Sequence, residues 1–193
     1  MNWANVVTFG RIALVPVFVY LMFADARGRG DLGAGATLLA PGLAIVVFVV
    51  ASLTDSLDGY LARKNNRVTR LGIFMDPLAD KLLVGAALAV LVALRGFPYW
   101  AAVVIVVREV AISLLRSAAL RRGRSMPASA FGKLKTATQL PMVVAWLLPR
   151  EGWVVPLQDG LAVIAVLFTI LSGMQYLSKA GELLAPRRDQ PAG

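Results

Sequence analysis

Four aspartates interrupt otherwise apolar sequence within one short stretch: Asp55 and Asp58 in DSLDGYLAR, then Asp76 and Asp80 in GIFMDPLAD. A carboxylate at membrane depth is costly, so four of them persist only where something positive neutralises them. On a helix, Asp55, Asp58, Gly59, Ala62 and Arg63 follow i, i+3, i+4, i+7, i+8 and share one stripe; Gly72, Asp76 and Asp80 follow i, i+4, i+8 and share another. The connector 64–70 is short enough to make the two helices antiparallel neighbours, so the four carboxylates converge. The chain has no Cys and no His. Oxygen-only donors favour hard cations such as Mg²⁺, Mn²⁺ or Ca²⁺. Two cations roughly 3.5–4 Å apart bring four carboxylates near neutrality, the arrangement used in phosphoryl transfer. Gly59, Ala62 and Gly72 leave room for a flat ligand to approach the backbone, and Arg63 and Thr69 are placed to contact phosphate oxygens at the rim. The competing reading pairs these aspartates with Arg63, Lys81 or Arg108, or lines a cation path as in transporters.

A second polar group lies further along. Arg108, Glu109, Ser113 and Arg116 share a broad helical face, and Lys133 and Lys135 follow at the start of the next apolar run. Arginines at depth need anions, and one glutamate meets only part of that need. Together the four cations form a basic pocket suited to an acceptor phosphate. Two alternatives stay open: a structural pair of Arg108 with Glu109 or an aspartate, and membrane anchoring by the two lysines.

The elements that must hold these groups are helices in a bilayer. The chain is 58% hydrophobic with mean hydropathy +0.70, far above a soluble domain. Runs long enough to span, roughly 17–25 residues each, fall at about 6–24, 33–58, 71–94, 98–120, 133–149 and 157–178. The expectation is an all-α integral membrane protein with six transmembrane helices, one domain over 1–185 and a polar tail at 186–193. Of the 20 basic residues, twelve flank one side (Arg63, Lys64, Arg67, Arg70; Arg121, Arg122, Arg124, Lys133, Lys135; Lys179, Arg187, Arg188) and four the other (Arg27, Arg29, Arg95, Arg150). Both termini and the aspartate motif are thereby assigned to the cytoplasmic side. Ala24-Asp25-Ala26 has the look of a signal cleavage site, but no basic residue precedes the run and Arg11 interrupts it, so an uncleaved first helix is expected. The net charge of +9 is read as holding the protein against anionic lipid headgroups, with no nucleic acid partner.

DSLDGYLAR, eight residues, then GIFMDPLAD resembles the signature DxxDGxxAR…GxxxDxxxD of the CDP-alcohol phosphotransferase family, with every fixed position filled. The resemblance implies that family's six-helix membrane fold, usually homodimeric, using two divalent cations, Mg²⁺ or Mn²⁺, to displace CMP from a CDP-linked lipid. It would make Asp55, Asp58, Asp76 and Asp80 metal ligands, with Asp80 also the general base. Asn5, Thr8, Asp55, Gly59, Ala62, Arg63, Thr69 and Gly72 would surround the CDP-lipid. ANVVTFGR is similar to the family's N-terminal PNxxTxxR segment, with Ala4 in place of proline and Arg11 available beside Asn5 and Thr8. REVAISLLR, FGKLKT and MQYLSKA resemble the branch that transfers the phosphatidyl group of CDP-diacylglycerol to glycerol 3-phosphate, the phosphatidylglycerophosphate synthases. That branch implies an acceptor-phosphate site at Arg108, Arg116, Lys133 and Lys135. A cardiolipin synthase of the same chemistry, taking phosphatidylglycerol as acceptor, remains open, as does a carboxylate-lined cation transporter.

Overall fold

The computed structural model describes residues 3–31, 39–64, 70–123 and 129–184, with side chains at 8–27, 41–54, 79, 81–123, 129–178 and 180–181. Six helices account for nearly all of them: α1 Trp3–Asp31, α2 Leu39–Lys64, α3 Arg70–Arg95, α4 Tyr99–Arg121, α5 Ala130–Leu147 and α6 Val154–Leu184. Their ends follow from local chemistry. Gly96, at φ 70°, takes the left-handed conformation that closes α3, and Pro98 then stands at the N-cap of α4. Ser129 caps α5 by accepting the Gly132 amide at 3.0 Å, so this helix begins three residues before the expected apolar run. Pro141 lies inside α5 without ending it.

α1 packs against α2 and α3; α5 and α6 form the most extensive pair; α4 lies on α6 and α3; and α2 and α3 both reach α5. Alanines at the contacts (Ala44, Ala51, Ala87, Ala101, Ala165) let backbones approach closely, which is how helices associate where lipid supplies no hydrophobic drive. Phe18 meets Phe48 at 5.7 Å between α1 and α2, and Phe97 stands edge-on to Trp146 at 4.9 Å. Hydroxyls within the helices return to their own backbone: Ser52 donates to the Phe48 carbonyl and Thr169 to that of Ala165.

Large apolar side chains also face outward. α4 exposes Val103, Val107, Val110 and Leu114, and α6 exposes Val163, Leu167, Met174 and Leu177. Among the described residues, Thr8–Arg27 in α1 and Val154–Ser178 in α6 are long and apolar enough to cross a bilayer, with a shorter apolar stretch at Pro41–Thr54 in α2. The described residues are thus all-helical in their regular structure and of membrane character. The four aspartate side chains, and those of Asn5, Gly59, Ala62, Arg63 and Gly72, lie outside the described residues, as do Thr69 and the tail 186–193.

The bundle end that carries the α3–α4 and α5–α6 turns is stitched by polar groups. Arg95 of α3 pairs with Asp25 of α1 at 3.1 Å. Gln158, fully buried, donates to the carbonyls of Ala145 and Leu148 at 3.0 and 3.2 Å, while Trp146 donates to the Gln158 carbonyl at 2.8 Å. Arg150 stacks over Trp146 and forks onto Asp159. Gln158→Leu removes two hydrogen bonds that hold the α5–α6 turn. It is expected to lower unfolding free energy by about 1–3 kcal/mol in detergent-solubilised protein, with turnover at saturating substrate unchanged; an unaltered unfolding midpoint would remove Gln158 from this role.

Candidate active site

α2 delivers Asp55 and Asp58 in its last three turns and α3 delivers Asp76 and Asp80 in its first three. The two helices are antiparallel neighbours joined by a five-residue connector, as the spacing requires. α1 reaches the same region with Thr8 and Arg11, both buried. The Arg11 Nε donates to the Ala51 carbonyl at 3.2 Å, the carbonyl that in an α-helix accepts the amide of Asp55. A cation at depth is therefore fixed to the backbone one turn from the first aspartate.

The second cluster is described atom by atom. Arg108 Nη1 donates to Glu109 Oε1 at 3.0 Å, and Lys135 Nζ of α5 bonds the same oxygen. Arg108 Nη2 bonds the Ser172 hydroxyl of α6. The Tyr176 hydroxyl, one turn along α6, accepts the Ser129 amide at 3.0 Å and Arg116 Nη2 at 3.3 Å. Its ring lies 5.7 Å from the Arg108 guanidinium and 6.0 Å from that of Arg116, within cation–π range. Gly132 makes this meeting possible: a Cβ there would stand 3.1 Å from the Ser129 Oγ and 3.6 Å from the Tyr176 hydroxyl. The structure thus gathers Arg108, Arg116 and Lys135 around Glu109 and Tyr176, drawing α4, α5 and α6 to one place. Lys133 is exposed on another face of α5.

Ser129, Ser172 and Tyr176 carry this cluster although residue types and spacing did not single them out. The signals at hand were Ser172 and Tyr176 at i and i+4, a polar stripe on an apolar helix, and the place of Tyr176 in MQYLSKA. Among the described residues, three cations stand against one carboxylate, net positive by two, with Lys135 only 6% exposed and Arg108 13%. Such a site can take an anion of matching charge.

Residues 1–171 match the CDP-alcohol phosphatidyltransferase family. The chain is 43% identical over 187 residues to the CDP-diacylglycerol–glycerol-3-phosphate 3-phosphatidyltransferase of Bacillus subtilis, covering 95% of this chain and 97% of that one. It is 38% identical over 182 residues to a probable phosphatidylglycerophosphate synthase of Mycobacterium tuberculosis, covering 93% and 81%. It is also 38% identical over 193 residues to the 3-phosphatidyltransferase of Salmonella typhimurium, covering 95% and 97%. This chain belongs to the CDP-alcohol phosphatidyltransferase family, and is an enzyme of phosphatidyl transfer.

Glu109→Ala removes the carboxylate that Arg108 and Lys135 share. The expected loss is about 2–3 kcal/mol of unfolding free energy, below the cost of breaking a wholly buried pair because Glu109 is 23% exposed. Chemical denaturation of the two proteins side by side measures it, and added phosphate is expected to restore part of the loss in the variant.

Proposed function

We propose that this enzyme transfers the phosphatidyl group of CDP-diacylglycerol to glycerol 3-phosphate, giving phosphatidylglycerophosphate and CMP. The observation that carries the acceptor is the charge of the second cluster. A phosphomonoester carries nearly two negative charges at neutral pH, which suits Arg108, Arg116 and Lys135 balanced by Glu109. The diester of phosphatidylglycerol carries one and suits it less well. Three relatives named for this transfer or its product, similar over nearly their whole length, support the same reading.

In the proposed reaction the hydroxyl of glycerol 3-phosphate gives its proton to Asp80 and attacks the β-phosphorus of the donor. The bond from that phosphorus to the CMP oxygen breaks, and CMP leaves. Asp55, Asp58, Asp76 and Asp80 form an all-carboxylate donor set on adjoining helices, which fits two Mg²⁺ or Mn²⁺ ions. When bound, these ions neutralise the diphosphate and stabilise departing CMP. Metal coordination lowers a carboxylate's basicity, so Asp80 serves best as the most loosely held of the four. Thr8 and Arg11 on α1, with Asn5, Gly59, Ala62, Arg63, Thr69 and Gly72, are proposed to surround the CDP moiety. The cations of the second cluster hold the acceptor phosphate and aim its hydroxyl.

We further propose six crossings with the aspartate-bearing end in the cytoplasm, where both substrates are met. The twelve-to-four basic asymmetry supports this orientation, and the apolar faces of α4 and α6 left exposed among the described residues support the crossings.

Two measurements test these readings. Alanine at Arg108, Arg116 or Lys135 is expected to lower kcat/KM by roughly tenfold to a hundredfold, with KM rising for glycerol 3-phosphate far more than for CDP-diacylglycerol. Arg63→Ala is expected to show the reverse bias. Silent substitutions together with preference for phosphatidylglycerol would make the protein a cardiolipin synthase instead. For topology, cysteines placed at Asn66 and Gly30 of this Cys-free chain are expected to label from opposite sides, and labelling of position 66 from outside intact cells overturns the orientation.

A further inference from the structure

The face of α5 that carries Lys135 holds one more polar group. Gln139 lies one turn further along, is 5% exposed, and its Nε2 has no hydrogen-bond partner. Native interiors rarely leave a buried donor unmet, and where they do a ligand is a common reason. The Nε of Arg108 is a second buried donor without a partner beside the same cluster. α5 packs against both α2 and α3, the helices that carry the aspartates.

Register orders these groups along the bundle. Lys135 is five positions from the start of α5, Gln139 nine, and Asp80 ten from the start of α3, whose first residue lies at the same bundle end. The acceptor has the same order: a phosphate, a secondary hydroxyl, then the primary hydroxyl that attacks. A neutral amide adds no charge to balance a phosphate, yet it offers a donor and an acceptor, as an uncharged hydroxyl requires.

We propose that Gln139 determines acceptor specificity by hydrogen-bonding the secondary hydroxyl of glycerol 3-phosphate between the phosphate-holding cations and the reacting end. This rests on glycerol 3-phosphate being the acceptor. A site built to bond a hydroxyl rejects the analogue lacking it, whereas an apolar one does not.

The test compares glycerol 3-phosphate with 3-hydroxypropyl phosphate, which keeps the phosphate and the attacking hydroxyl but lacks the secondary one. CMP release is followed for the wild type, Gln139→Leu and Gln139→Ala. The wild type is expected to favour glycerol 3-phosphate by about tenfold or more in kcat/KM. Both variants are expected to lose most of that preference, with KM for CDP-diacylglycerol unchanged. Gln139→Leu is expected to melt no lower than the wild type, since it removes a donor that no protein group satisfies. A preference equal in all three proteins, or a wild type without one, overturns the proposal. A loss shared equally by both acceptors, or a raised KM for CDP-diacylglycerol, also overturns it and assigns the amide to the donor. A wild type that uses phosphatidylglycerol and neither phosphomonoester removes the acceptor reading itself, a result distinct from the others because it appears before any variant is compared.

Discussion

Charge held at depth needs a local counter-charge, and in this bundle two cations share one oxygen. Glu109 Oε1 receives both Arg108 and Lys135, groups from α4 and α5, two helices that make no direct backbone approach among the described residues. α6 fills the place between them, with Ser172 bonded to Arg108 and Tyr176 bonded to Arg116 and to the amide that opens α5. Without the carboxylate, mutual repulsion of the cations would push α4 and α5 apart. With it, they stay close enough to act on one anion. Packing alone would not achieve this, because α4 turns an apolar face outward and meets the bundle mainly through α6 and α3.

The aspartate pattern was legible because it is local: all four residues fall on two consecutive helices, and the spacing within each decides which face they share. The apolar runs likewise foretold six helices. Boundaries were read less well, and for physical reasons. α5 starts at Ala130 because a serine cap satisfies a helix end regardless of hydropathy, and α6 continues to Leu184 because hydrogen bonding along a helix does not stop where apolar composition does.

Cross-helix partnerships were the hardest to read. Arg108 and Ser172 are 64 residues apart and Arg116 and Tyr176 are 60 apart, and periodicity within a segment carries no information about which faces of distant segments meet. The sequence left Arg108 between two roles, a structural pair with Glu109 and a phosphate ligand; the geometry has it bonded to Glu109 while its Nε stays unmet. Lys133 and Lys135 were read together, yet two positions on a helix are about 200° apart. One lysine turns inward to Glu109 and the other faces out. Tyr176 stood inside MQYLSKA, yet its partner could not be read there, because its hydroxyl meets a backbone amide 47 residues away.

The two ends of the bundle differ in finish. At one, the Gln158 amide, the Trp146 indole and the Asp25–Arg95 pair tie the turns together; toward the other, the cluster around Glu109 is as heavily bonded but adjoins the unmet Gln139 Nε2. A donor that no protein group meets gains its bond only when a ligand supplies one, so binding adds order beside Gln139 that the protein alone leaves unmade.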